Sequence, residues 1–157
     1  MRNPERLGCV TQTTLSVDDT RDILEALARR FPAIQLPRKD DICYATQNRQ
    51  NAVKELTQRC DVGLVVGAPE SSNSNRLVEL ALKAGARAHL VQQASDIEPG
   101  WLEGARCVGV TAGASAPEIL VVQVVGRLQE LSGGTAEMNA LPEVDEGVVF
   151  QLPSALR

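Results

Sequence analysis

The chain has 157 residues, of which 43% are hydrophobic and 3% are aromatic, and its formal net charge is −4. This length suits a domain with an aliphatic core, and the acidic balance argues against nucleic acid or an anionic membrane as a partner. The longest apolar run, Ile119 to Val125, is too short to cross a bilayer, and residues 1–8 contain no hydrophobic leader. We therefore expect a cytoplasmic protein with small-molecule or protein partners.

The first predicted elements are a strand and a helix. The segment LGCVTQTTLS is typical of a strand that ends in threonines. A helix is predicted over residues 17–30, where Ser16 and Asp19 form a capping box. The spacing of its apolar residues predicts one buried face, which consists of Ile23, Leu24, Leu27 and Phe31.

Cys43 lies in the stretch PRKDDICYATQNRQNAV, between a charged loop and a second predicted helix. The positive potential of a helix N-terminus, with Arg38 and Lys39 nearby, favours a thiolate that attacks carbonyls or binds metal. A half-exposed structural thiol is the alternative interpretation, and both remain open at this point. The inner face of the helix is predicted to contain Ala52, Val53, Leu56 and Cys60.

The rest of the chain alternates strand and helix patterns, which predicts an α/β fold with a mainly parallel sheet. Strands are predicted at DVGLVVG, ARAHLV and CVGVTAGASAP, and helices at RLVELALKA and EILVVQVVGRLQEL. These two helices are predicted to end at Gly85 and at Gly133 and Gly134, and Trp101 is predicted to cover a core edge. The tail after Gly134 is irregular, apart from a possible strand at residues 148–152.

Three predicted turns are rich in hydroxyl and amide side chains: Thr11 to Thr14, Ser71 to Asn75, and Thr111 to Ser115. Turns after parallel strands meet at one edge of the sheet, and helix N-termini there attract anions. The turns therefore predict a phosphate or diphosphate site, and simple helix caps are the alternative. The pattern V-G-x-x-x-G-A occurs in both VGLVVGAPESS and VGVTAGASAPE, a weak internal repeat of one strand-to-helix unit.

The other cysteines and the histidine are predicted to be structural. Cys9 and Cys107 lie in strand patterns and Cys60 on a helix face, so each is expected to be a small buried hydrophobic residue. His89 alternates with apolar residues in a short strand and is expected to be a structural imidazole. The sequence then has no evident general base for a Cys-His hydrolase.

Four motifs carry a family resemblance: TQTTLSVDDT, PRKDDICYATQNRQ, SSNSNRL and CVGVTAGASAPEIL. In this order, from about Val10 to Leu131, they resemble the C-terminal half of the 4-hydroxy-3-methylbut-2-enyl diphosphate reductases. The resemblance implies an iron–sulfur enzyme of the non-mevalonate isoprenoid route, which removes a hydroxyl reductively from an allylic diphosphate. It also implies a 4Fe-4S cluster held by three cysteines, with ferredoxin or flavodoxin as the electron donor.

By position in these motifs, the resemblance implies that Cys43 is one cluster ligand and that Thr13 lies near the reacting end of the substrate. Four residues are implied to hold the diphosphate: Ser71, Ser72, Asn73 and Ser115. The family's other two cluster cysteines, its substrate histidines and its proton-delivery glutamate belong to a preceding segment that this sequence does not contain. No catalytic residue is therefore assigned.

We expect a truncated reductase whose α/β units belong to a three-domain fold. Residues 1–36 are expected to end the second domain, residues 37–132 to form the complete third domain, and residues 133–157 to form a tail. An inactive remnant or diphosphate-binding module is one alternative. A split enzyme, completed by a separate chain with the missing N-terminal half, is the other.

Overall fold

The computed structural model describes residues 6–37 and 41–142. Four helices and three strands follow one another in the order α1 (Val17–Arg30), α2 (Tyr44–Leu56), β1 (Val62–Val66), α3 (Ser72–Lys83), β2 (Arg87–Val91), β3 (Val108–Ala112) and α4 (Glu118–Leu131). Two short 3₁₀ turns, Ala94–Asp96 and Pro99–Leu102, connect β2 to β3. The predicted bounds of α1 and α4 are confirmed. The predicted tail strand at 148–152 and the division into three domain regions are not tested by the described residues.

The three strands form one parallel sheet with the order β2-β1-β3. Val62, Leu64 and Val66 of β1 are fully buried and belong to a core cluster that includes Val124 of α4. Val65 points to the opposite face, where the cluster contains Val53 of α2 and Leu77, Leu80 and Ala81 of α3. Because β1 is covered on both faces, aliphatic residues occupy four of its five positions and do not alternate with polar ones. The predicted α/β fold with a parallel sheet is confirmed.

The first helix packs differently from its prediction. Ser16 Oγ accepts a hydrogen bond from the Asp19 N–H at 3.2 Å, which confirms the N-cap. The predicted apolar face is only partly covered: Leu24, Leu27 and Phe31 are half-buried, whereas Ile23 is 58% exposed, and Thr20 is the buried residue of the helix. Polar contacts attach α1 instead: Lys54 of α2 binds Asp18 and Lys83 of α3 binds Asp19. These ion pairs connect α1 to α2 and α3, while its leucines are only half-buried.

The predicted N-terminal strand is also wrong within the described residues. One isolated parallel bridge joins Gly8 to Gln35, and Val10 is 89% exposed. A strand pairs with a neighbouring strand over several residues, whereas the pairing here is limited to Gly8 and Gln35.

Trp101 lies against the core cluster and stacks on His89, with ring centroids 4.0 Å apart. Its predicted role at a core edge is confirmed.

Among the described residues, no helix combines the length and apolar character that a membrane span requires.

Candidate functional site

The carboxyl ends of β1 and β3 are adjacent and end in glycines. Gly63 of β1 is in register with Gly109 of β3, so the two repeated V-G-x-x-x-G-A segments run side by side. A Cβ atom built on either Gly67 or Gly113 would lie 2.2 Å from Ser74 Oγ. The two glycines therefore allow the first turn of α3 to approach the sheet edge closely. The second glycine of each V-G-x-x-x-G-A segment is the one that Ser74 approaches.

The start of α3 is held by hydrogen bonds within the SSNSN segment. Ser71 is the N-cap, and its Oγ accepts from the Ser74 N–H at 3.2 Å and from the Ser74 Oγ–H at 3.0 Å. The Asn75 amide donates to the Pro69 and Ser71 carbonyls at 2.6 and 3.0 Å. The helix begins at Ser72, four residues earlier than the prediction at Arg76. Capping thus accounts for Ser71, and it leaves the side chains of Ser72 and Asn73 for another role.

Asn73 is the least satisfied polar side chain at this edge. It is 8% exposed, and neither its Oδ1 nor its Nδ2 has a hydrogen-bond partner among the described residues. Burial of an unpaired amide costs free energy, so such a group is expected to meet a ligand or an ordered water. An amide nitrogen at the first turn of a helix is well placed to donate to an anion.

A cavity of about 180 Å³ lies beside the start of α3 and the turn between β3 and α4. Ser71, Ser74 and Ser115 are among its lining residues, so two of the predicted diphosphate residues share one cavity. Ser115 is exposed in a tight turn closed by the Ala116 N–H, which donates to the Gly113 carbonyl at 3.0 Å. Ser72 is exposed at the same helix start. A larger cavity of about 250 Å³ lies beside α1; Thr11 of the first predicted turn lines it, but none of the residues assigned to the diphosphate or the cluster does.

The two remaining predicted site residues, Thr13 and Cys43, are in contact through the backbone. The Cys43 N–H donates to the Thr13 carbonyl at 3.1 Å. Cys43 occupies the N-cap position of α2, its thiol is exposed, and it caps no backbone N–H. Asp41 supports the pairing, because its carboxylate accepts hydrogen bonds from the N–H and Oγ–H of Thr11 at 3.0 and 3.3 Å.

The C-terminal end of α2 lies at the amino edge of the sheet. Cys60, just after the helix, lies against Gly109 and Cys107 at the amino end of β3. A helix of 13 residues is about 20 Å long, close to the length of a five-residue strand. Cys43, at the N-terminus of α2, is therefore separated from Cys60 by about the length of a strand.

Gln50 and Ser74 are residues whose roles the sequence analysis missed. Gln50 is 1% exposed, and its amide accepts from the Val17 N–H at 3.1 Å and donates to the Leu15 carbonyl at 2.8 Å. It thereby attaches the segment after Thr13 to the helix that begins at Cys43. The repeated glycine pattern could have indicated Ser74, whereas Gln50 gives no local signal because its partners are 33 and 35 residues away.

The described residues do not by themselves fit a cluster with three cysteine ligands. No group of three His, Cys, Asp or Glu side chains that could hold a metal ion occurs in 6–37 or 41–142. Cys9 is half-buried near the Gly8–Gln35 bridge, and Cys60 and Cys107 contact each other at the opposite edge of the sheet. Cys43, which is exposed, is available to supply one such ligand.

Two expectations about structural side chains have different outcomes. The expectation that Cys60 and Cys107 are buried is wrong, because both are half-buried. Their sulfurs are 2.9 Å apart, a contact that the sequence did not predict. The expectation for His89 agrees with its stacking on Trp101. Burial, followed by the nearby Arg87 guanidinium, lowers the pKa of His89, so the fold favours the neutral imidazole.

Comparison with known proteins identifies the family. The family model described as LytB protein matches residues 1–129, which is most of the chain. This chain belongs to the LytB protein family. Over all 157 residues it is 57% identical to the 4-hydroxy-3-methylbut-2-enyl diphosphate reductase of Escherichia coli O1:K1 / APEC and 58% identical to that of Klebsiella pneumoniae subsp. pneumoniae. In both cases the match covers 49% of the relative, so the LytB chain spans about half the length of these proteins.

Solved structures of LytB relatives agree with the fold. The E-1-hydroxy-2-methyl-but-2-enyl-4-diphosphate reductase from Plasmodium falciparum aligns with a TM-score of 0.78 and 32% identity, over 89% of this chain and 46% of that one. A second structure, of (E)-4-hydroxy-3-methyl-but-2-enyl diphosphate reductase, aligns with a TM-score of 0.55 and 32% identity, over 80% of this chain and 44% of that one. The resemblance inferred from the four motifs is confirmed.

Proposed function

We propose that this chain carries the diphosphate recognition of a 4-hydroxy-3-methylbut-2-enyl diphosphate reductase, an oxidoreductase of isoprenoid biosynthesis in the cytoplasm. The observation that supports the proposal most directly is the buried, unpaired amide of Asn73 at the start of α3. The fold has enclosed a polar group that it does not satisfy, and this group lies at the helix end that attracts anions. The names of the relatives supply the corresponding anion, an allylic diphosphate.

In this proposal the diphosphate is held by neutral donors. Ser71 and Ser115 reach it from two sides of the shared cavity, and Asn73 donates from its amide. Ser72 adds an exposed hydroxyl at the same turn. The backbone N–H groups of the first turn of α3 complete the recognition. The acidic net charge of the chain is compatible with such a site, because recognition does not depend on a cluster of basic residues.

Cys43 is proposed as one of three cysteine ligands of a 4Fe-4S cluster, with Thr13 beside the reacting end of the substrate. When bound, the cluster would supply the electrons for reductive removal of the substrate hydroxyl, and ferredoxin or flavodoxin would supply them to the cluster. The other two ligands would come from the part of the relatives that this chain does not span, either in a longer chain or in a separate one.

Calorimetric titration of the chain with inorganic diphosphate and with the allylic diphosphate tests the recognition. Asn73→Ala and Ser115→Ala should each weaken binding by about tenfold or more, which corresponds to about 1.4 kcal/mol. Ser95→Ala is the matched control, since Ser95 is exposed and lies outside the cavity lining. Absence of binding by the unmodified chain would contradict the diphosphate site.

Anaerobic reconstitution tests the proposed role of Cys43. The chain is mixed with a separately produced N-terminal half of the Escherichia coli relative, iron and sulfide, and the visible absorbance of the cluster is recorded. Absorbance that requires both chains and is lost in Cys43→Ser supports the ligand role. Diphosphate binding without any cluster formation would favour the binding module instead.

A further inference from the structure

The amino edge of the sheet holds a pair of thiols that the diphosphate chemistry does not use. Cys60 follows α2, Cys107 precedes β3, and the two residues are 47 positions apart in sequence. Their sulfur atoms are 2.9 Å apart, both side chains are half-buried, and both cysteines are free thiols. Two cysteines from distant segments are therefore in direct contact in the folded chain.

The backbone around the pair is fixed by Asp61. The Asp61 N–H donates to the Cys107 carbonyl at 2.9 Å, and Asp61 Oδ2 accepts from the Cys107 N–H at 3.1 Å. On the other side, the Cys60 N–H donates to the Leu56 carbonyl at 2.9 Å. Cys60 Sγ also occupies the space beside Gly109, where an added Cβ would lie 3.2 Å from it. These contacts hold the two sulfurs against each other.

We propose that Cys60 and Cys107 form a reversible disulfide site, which is oxidised by small-molecule disulfides such as oxidised glutathione. A disulfide bond is about 2.05 Å long, so the sulfurs need to approach by less than about 1 Å from their present separation. The inference does not depend on the proposed function, since the pair lies at the edge opposite to the start of α3 and at the other end of α2 from Cys43.

The exchange proceeds in two steps. The Cys107 thiolate attacks one sulfur of oxidised glutathione, forms a mixed disulfide and releases one glutathione thiolate. The Cys60 sulfur then loses its proton, attacks the Cys107 sulfur and displaces the second glutathione thiolate. Two electrons pass from the protein to oxidised glutathione, and the two thiol protons pass to the two glutathione molecules that leave.

The environment of the two thiols decides this order. Burial, with a further contribution from the hydrogen bond to Cys107, raises the pKa of Cys60 to about 12. A protonated thiol is a poor nucleophile, so we place the first attack at Cys107. Once Cys107 has become a mixed disulfide, the thiol–thiol hydrogen bond no longer holds the Cys60 proton, and the neighbouring sulfur is within reach of attack.

The test treats the full chain with oxidised glutathione under anaerobic conditions, alkylates the remaining thiols and maps the peptides by mass spectrometry. We expect a peptide that links Cys60 to Cys107 within one chain, and its loss on treatment with dithiothreitol. Alkylation of both residues after prolonged exposure would overturn the proposal, as would stable glutathione adducts on either of them or links between two chains.

Single variants test the order of reaction. Cys60→Ser should retain one glutathione on Cys107, because no second thiol is present to displace it. Cys107→Ser should leave Cys60 largely unmodified over the same period. Cys9→Ser is the matched control and should form the Cys60–Cys107 link at the rate of the unmodified chain. A Cys60→Ser variant with no adduct on Cys107 would contradict the proposed first step.

Discussion

Two amide side chains are buried, Gln50 of α2 and Asn73 of α3. The first is hydrogen-bonded to the backbone, and the second has no hydrogen-bond partner among the described residues. Gln50 is 1% exposed and binds backbone groups of both Leu15 and Val17. Asn73 is 8% exposed and has no partner within the described part of the chain. Since an unpaired buried amide costs free energy, the fold satisfies the amide of Gln50 and leaves that of Asn73 at the start of α3 unsatisfied.

The largest expected effect comes from Gln50→Leu, which removes both hydrogen bonds of the buried amide. The variant leaves the Val17 N–H and the Leu15 carbonyl without their partner, so the free energy of unfolding should fall by about 3 kcal/mol. Urea unfolding followed by circular dichroism measures the change. Asn51→Ala, an exposed amide on the same helix, is the control and should change stability by less than about 0.5 kcal/mol. Equal effects of the two variants would refute the role assigned to Gln50.

A smaller effect is expected where α3 meets the sheet. Gly113→Ala places a Cβ 2.2 Å from Ser74 Oγ and should destabilise the chain by about 2 kcal/mol, because the first turn of α3 must move. Gly63→Ala is the control, since the nearest atoms to its Cβ are 3.9 Å away.

A double-mutant cycle identifies the contact responsible. Adding Ser74→Ala removes the clashing oxygen, and the remaining Cβ of residue 74 lies 3.5 Å from the new one. The double variant should therefore be less destabilised than the sum of the two single variants. Strict additivity would show that Ser74 is not the group that Gly113 accommodates.

The sequence predicted the elements that depend on local patterns and missed those that depend on distant contacts. The bounds of α1 and α4 follow from caps, periodicity and terminal glycines, all of which are local. The start of α3 was placed too late, because the polar residues of SSNSN were interpreted as a loop. Periodicity identified an apolar face on α1, but it carries no information about which element covers that face.

The candidate site shows the same division. Its hydroxyl-rich turns were recognised because parallel strands bring their carboxyl ends to one edge. The closeness of Gly67 and Gly113 could not be read from the repeat alone, since it requires the register between β1 and β3. The contact between Cys60 and Cys107 requires the direction of α2 as well as that register. These two contacts are determined by strand pairing and helix direction, which a local sequence pattern does not contain.

The third prediction concerns the unpaired amide of Asn73 at the start of α3. Asn73→Ala should change the free energy of unfolding by less than about 1 kcal/mol, because removal of two unpaired polar atoms offsets the lost packing. Diphosphate at a fixed concentration should raise the Tm of the unmodified chain by more than it raises that of the variant. A loss as large as that of Gln50→Leu would show that Asn73 stabilises the unliganded fold, and the contrast between the two amides would fail.

The smallest expected effect concerns His89, a half-buried polar ring that stacks on the aromatic Trp101. Burial and then Arg87 lower its pKa below 6.5, so the unfolded chain takes up a proton at a higher pH than the folded chain. The stability contributed by neutral His89 is complete above about pH 6.5 and is lost as the pH falls through the folded pKa.

The urea midpoint, followed by fluorescence of the single tryptophan, should therefore be lower at about pH 5.5 than at about pH 7.5. His89→Phe keeps the stacked ring and should remove most of this difference. Asp19, whose pKa is lowered mainly by its hydrogen bond to Lys83, affects stability only below about pH 3.8, so its titration does not overlap with this window. A pH dependence that persists unchanged in His89→Phe would assign it to another group.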